Sequence, residues 1–140
     1  MIPLAALFAA LWSCNKNEGP QTTFGKIAGK WRLAETATDD NGNGVIDASE
    51  LHPVQSGYVD ILNFKVDSTG VETTVSNSDS APPLNFTWNV IVGDSVRLDY
   101  TAHLTVTYYI NNLNASNLTL TTRTPLNTGT ILTQNYYNKD

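Results

Sequence analysis

Alternation constrains this chain more than any other feature. In residues 84–92, "LNFTWNVIV", the side chains of Leu84, Phe86, Trp88, Val90 and Val92 alternate with Asn85, Thr87 and Asn89. A period of two puts successive side chains on opposite faces of an extended chain, so one face is apolar and the other polar. The same rhythm runs through "YVDILNFKVD", with Leu62, Phe64 and Val66 on one face, and "GVETTV", with Val71, Thr73 and Val75 together. It recurs in "VRLDY" (Val96, Leu98, Tyr100) and "HLTVTYYI" (Leu104, Val106, Tyr108, Ile110), and in "NLTLTTR" and "TILTQNYY". Turn-rich segments at 67–70, 92–95, 111–117 and 125–129, and a longer loop at 76–83, separate these runs. "FGKIAGKW" reads as one helical turn leading into a first strand, "KWRLAET". About eight antiparallel strands with short connections predict an all-β fold, an up-and-down barrel or a strongly curled sheet.

At 140 residues the chain is one domain, and its 41% hydrophobic and 15% charged content is that of a globular protein. A net charge of −5 without any basic cluster excludes nucleic acid as a partner. Neither histidine, His52 or His103, lies in a nucleophile or metalloprotease motif, so no enzymatic activity is expected.

Cys14 is the only cysteine, which rules out an internal disulfide. It closes "IPLAALFAALWSC", which resembles a bacterial lipobox: an aliphatic residue three positions before the cysteine, a small residue just before it, and an apolar core upstream. That core is shorter than the ~20 residues a spanning helix needs and fits a signal peptide, although no Lys or Arg precedes it. The expectation is a signal peptide at 1–13, truncated at its start, a lipidated tether at 14–24 and a β domain at 25–140. Lipid on Cys14 implies an envelope protein anchored to the outer membrane, facing the periplasm or the surface.

Residues 39–50, "DDNGNGVIDASE", match the calcium-loop pattern D-x-[DN]-x-[DN]-G-x5-E at every fixed position. Asp39, Asn41 and Asn43 stand at positions 1, 3 and 5, and Val45 offers its carbonyl at 7. Asp47 at 9 acts through a water, Glu50 closes the site at 12, and Gly44 stands where the chain must turn sharply. All donors are oxygens, which suits calcium and disfavours zinc or copper. Pro53 would break an exiting helix, so the loop is read as grafted onto a β-hairpin rather than set in an EF-hand.

Four motifs resemble lipocalin-like domains, in particular the lipocalin-like lipoproteins of Bacteroidetes. They are "GKWRL", "VDSTGV", "LNFTWNV" and "INNLNASNLTL", in order across residues 25–138. The resemblance implies a small barrel that holds a small apolar ligand. Lipocalins also pair the first-strand Trp with a late Arg, for which Arg123 is the only candidate. The inward candidates Phe64, Phe86, Trp88, Tyr100 and Tyr108 are large, so an interior filled by side chains competes with a hollow one. Three functions follow: a lipid-anchored binding protein whose calcium braces a mouth loop, a carrier with calcium incidental, or an accessory lipoprotein of an envelope complex.

Overall fold

The computed structural model describes residues 22–92, 94–127 and 129–140. The signal peptide, Cys14 and most of the tether lie outside them. A five-residue helix, α1 (Thr23–Ile27), comes first, and the Thr22 hydroxyl caps it by accepting the Gly25 N–H at 3.3 Å. Ten strands follow: β1 (Gly29–Thr38), β2 (Leu51–Pro53), β3 (Tyr58–Phe64), β4 (Thr69–Ser76), β5 (Asp79–Ser80), β6 (Leu84–Ile91), β7 (Ser95–Tyr100), β8 (Thr105–Leu113), β9 (Asn117–Leu126) and β10 (Gly129–Lys139). Every pairing is antiparallel. Strands β1, β3, β4, β6, β7, β8, β9 and β10 pair in succession, and β10 returns to β1, closing an eight-stranded barrel. The short β2 and β5 are appended to β1 and β4.

Directly opposed residues of antiparallel strands share a face, so the register identifies the inner wall. Trp31 opposes Leu62, which opposes Glu72, which opposes Leu84. Phe64, Gly70, Phe86 and Tyr100 form a second row, and Val90, Val96 and Tyr108 a third. Ile110, Leu120, Asn135 and Thr36 continue around to β1.

These rows divide the interior in two. The end carrying α1 is packed: Ile27, Trp31, Phe64, Phe86, Trp88, Val96, Leu98, Leu118 and Leu120 are all buried. Phe24 of α1 stacks on Trp88 at 4.3 Å between ring centroids, and Phe64 meets Trp88 edge-on at 5.1 Å. Such aromatic pairs add ~0.5–1.5 kcal/mol each beyond the area they bury. The Trp88 indole N–H donates to the carbonyls of Lys65 and Thr69, both at 3.1 Å.

Where β1 begins and β10 ends, the Trp31 indole N–H donates to the Ile27 carbonyl at 2.6 Å. Lys139 lies over the Trp31 ring, 4.2 Å from its centroid, and donates to the Ala28 carbonyl at 2.8 Å. The cationic partner of the first-strand Trp is therefore Lys139, not Arg123. Arg123 covers Tyr109 instead, 4.7 Å from that ring, on the outer wall.

The alternating runs do not all turn their apolar residues inward. Val71, Thr73 and Val75 share the outer face, because the inward residues of β4 are Gly70, Glu72 and Thr74. Val66, Val92 and Leu104 are exposed, since each falls just outside a strand. The 76–83 loop contains a tight hairpin: Asn77 and Ser78 take positive φ and return the chain as β5.

Gly70 is required where the wall meets the floor. A β-carbon there would penetrate the Phe86 ring and approach the Asn63 carbonyl to 2.9 Å. Gly70→Ala is expected to lower stability by about 1–3 kcal/mol through overpacking. In urea unfolding, Phe86→Leu should cost less in the Gly70→Ala background than in the native one.

Candidate functional site

The half of the barrel away from α1 is built differently. Its inner wall carries Thr36 from β1, Tyr58 and Asp60 from β3, and Glu72, Thr74 and Ser76 from β4. Tyr100, Tyr108 and Asn135 face them from β7, β8 and β10. Glu72, Thr74, Tyr100, Tyr108 and Asn135 are only half-buried, so solvent reaches part of this upper interior.

Two carboxylates set its electrostatics. Asp60 is 8% exposed, and its Oδ1 has no hydrogen-bond partner. Burial, and then the neighbouring Glu72 carboxylate, push the Asp60 carboxyl up to about 6. Glu72 accepts the Tyr100 hydroxyl at 2.5 Å. Tyr100 is raised well above the ordinary phenol range, first by burial and then by that bond and the Glu72 charge. Tyr108 is pushed up to about 12 by burial, Glu72 and Asp60. Tyr137 is raised by burial and then by Asp60, so one patch of negative charge reaches three strands of tyrosines. Below the patch lies the aromatic floor, where Phe86 meets Tyr100 edge-on at 5.4 Å.

At the rim, Leu33, Thr36, Val54, Tyr58 and Ser76 line a cleft of about 360 Å³. Tyr58, one inward position above Asp60, is raised by burial and by both carboxylates. The rim depends on a β-bulge in β1 between Leu33 and Glu35. The bulge frees the Ala34 carbonyl, which accepts the Val54 N–H at 3.0 Å. It also lets β1 change partners, from β3 at residues 29–32 to β2 at 35–37.

The 39–50 loop leaves β1 at this same end, and the Asp39 N–H donates to the Leu132 carbonyl of β10 at 2.9 Å. Strand precedes it, a single 3-10 turn, Ala48–Glu50, closes it and β2 follows directly, so no α-helix flanks it on either side. Its end carboxylates are buried: Asp39 is 0% exposed and Glu50 6%. Asp39 accepts the N–H groups of Asn43 at 3.1 Å and Gly44 at 2.8 Å. Glu50 accepts those of Asp40 at 2.9 Å and Asp47 at 2.8 Å, one on each oxygen. Asn41 and Asn43 accept the N–H two residues on, and both side-chain amides donate to Asp47. Gly44 takes φ +82°, Ile46 is half-buried, and Val45 is exposed. The loop thus brings all six expected positions into one hydrogen-bonded ring. Among the described residues, no three His, Cys, Asp or Glu side chains form a group able to hold a metal ion.

A family model of the lipocalin-like domain matches residues 27–120. The chain belongs to the lipocalin-like family. No curated protein sequence matches it. Among solved structures, bovine odorant-binding protein in complex with a selenium-containing odorant is similar, at 12% identity and a TM-score of 0.47. That match covers 89% of this chain and 77% of the other.

Within this lipocalin-like barrel, the sequence-level site residues of the loop gather at the mouth, whereas Asp60 and Glu72 were not singled out from the sequence. The signal for Asp60 was present, because it shares the period-two face of Leu62 and Phe64. Glu72 gave none: the more apolar face of its strand points outward.

Asp60 makes the lipocalin-like barrel's stability depend on pH. Its folded-state pKa, about 6, lies above the ordinary 3.8. Stability from the neutral form is fully present below 3.8 and is lost as pH rises through 6. Asp60→Asn, always neutral, is expected to be more stable than the native protein at pH 8 by up to about 3 kcal/mol. The difference should shrink toward zero near pH 3.5, measured by urea unfolding at both pH values.

Proposed function

We propose that this protein is a lipid-anchored ligand-binding protein of the cell envelope, whose barrel interior takes a small molecule at the end braced by the 39–50 loop. The observation that carries the reading is the divided interior. A packed aromatic floor stops at mid-barrel, and the open half above it is lined by half-buried polar groups and rimmed by a cleft. Barrels of eight strands hold one small ligand when side chains leave room, and ligand sites favour barrel mouths. Binding is proposed, with no catalytic role for either histidine: His52 opposes Thr36 and lines the rim cleft but is exposed on β2, and His103 lies in the turn before β8.

Calcium is proposed as the brace. The 39–50 loop supplies the side-chain oxygens of Asp39, Asn41, Asn43, Asp47 and Glu50 and the Val45 carbonyl. A donor set of carboxylates, amides and a carbonyl suits a hard ion that takes six to eight oxygens. The loop runs directly into β2 and the Val54 segment that lines the cleft, so ordering it orders the rim. Anchoring through lipid on Cys14 completes the proposal and places the barrel in the envelope, on the periplasmic or outer face of the outer membrane.

Two measurements test these parts separately. Calorimetric titration is expected to show one calcium site with Kd between about 10⁻⁵ and 10⁻³ M, weakened at least ~10-fold by Glu50→Gln. At calcium a hundred times Kd, stability should rise by about 2.7 kcal/mol. No heat and no stabilisation at millimolar calcium removes the brace. Independently, the fluorescent apolar probe N-phenyl-1-naphthylamine should bind the barrel and be quenched or displaced by small ligands; failure of any small molecule to bind removes the carrier reading.

A further inference from the structure

The unpartnered Asp60 oxygen says more about the ligand than the aromatic floor does. Buried polar atoms are almost always hydrogen-bonded, and an exception calls for a donor that the chain does not supply. Asp60 is 8% exposed, on the inward face of β3, opposite Thr74 and beside Glu72. The Tyr100 hydroxyl is given to Glu72, and although Tyr58, Tyr108 and Tyr137 lie close enough to feel the Asp60 charge, none of them hydrogen-bonds its Oδ1.

Cations of the described residues are placed elsewhere. Arg32 pairs with Asp140 at 3.0 Å and Arg97 with Asp99 at 2.8 Å. Arg123 covers Tyr109 on the outside, and Lys139 is held on Trp31 at the closed base. Lys30 opposes Asn63 on the outer face, and Lys26 and Lys65 lie at the α1 end. Among the described residues, two like-charged carboxylates therefore share this wall without a countercharge, an arrangement that costs stability unless a cation arrives.

The walls decide what kind of cation. Tyr100 hydrogen-bonds Glu72 and meets Phe86 edge-on, and Tyr108 and Tyr137 lie near enough to feel both carboxylates. Aromatic faces attract organic ammonium groups and accept an apolar body. A bare divalent ion would gain nothing from them, and no three metal-ligating side chains gather there among the described residues. Access is partial: Glu72, Thr74, Tyr100 and Tyr108 are half-buried, whereas Asp60 Oδ1 is covered, so a ligand reaches it only by displacing that cover.

From this arrangement we infer that the upper interior binds a compact organic ammonium ion, a protonated amine on an apolar or aromatic body, whose N–H donors engage the Asp60 and Glu72 carboxylates. This rests on the carrier reading above and narrows it from apolar to cationic amphiphilic ligands.

The test compares 2-phenylethylamine with its neutral isostere 2-phenylethanol by calorimetry at pH 8, on the full chain. The amine is expected to bind about tenfold or more tighter than the alcohol, the value of a charge-assisted hydrogen bond. Asp60→Asn should abolish that preference while melting no lower than the native protein, which separates lost recognition from lost folding. Glu72→Gln should weaken it as well. If the alcohol and N-phenyl-1-naphthylamine bind as well as the amine, or if Asp60→Asn retains the preference, the inference is overturned and the carrier reading stands. If amine, alcohol and naphthylamine all fail to bind, both are overturned.

Discussion

Hydrogen bonding between β10 and β1 turns an eight-stranded sheet into a tube. Seven residue pairs, from Trp31–Lys139 to Thr38–Thr133, carry this seam. Without it the sheet would present two long edges, the usual template for aggregation. The seam also fixes the two ends. At the base it brings Lys139 over Trp31 and onto the Ala28 carbonyl, so that the C-terminal strand clamps the helix-to-strand entry. At the mouth it ties Asp39 to Leu132, which holds the start of the 39–50 loop against β10.

Between those ends the barrel spends its side chains unevenly. Trp31, Phe64, Phe86 and Trp88 crowd the base, and a buried side chain of that size contributes ~1.5–3 kcal/mol. The other half holds threonines, tyrosines and two acids in place of further aliphatic packing. A buried carboxylate pushed up to about 6 lowers stability at neutral pH. Proteins tolerate such a penalty where the group serves binding, and the packed base offsets it. The glycine at Gly70 belongs to the same design, since it lets Phe86 lie against the wall and complete the floor of the open half.

Much of this was legible in the sequence. Alternation located the strands, and the turn clusters located the connections, because both are local consequences of backbone geometry. The loop pattern placed Asp39 and Glu50 at the ends of one structure, and both prove to be buried carboxylates accepting backbone N–H groups. What depends on register was hidden. The face of β4 rich in valine points outward, so Glu72 enters the barrel against its apparent polarity. Only closure shows that Lys139, near the chain end, reaches Trp31 while Arg123 lies outside. Asp60 sat in plain alternation with Leu62 and Phe64, yet its unpartnered oxygen is a property of the assembled wall.

Asp60 lies buried and unpaired on the inner wall of the half-barrel away from α1. Carbon-13 NMR of the side-chain carboxyls across pH, with Asp60→Asn for assignment, tests this most directly. The prediction is an Asp60 midpoint near 6 in the ligand-free protein. A midpoint near the ordinary 3.8 would mean that water or a partner within the chain satisfies this carboxylate, and would contradict the divided interior.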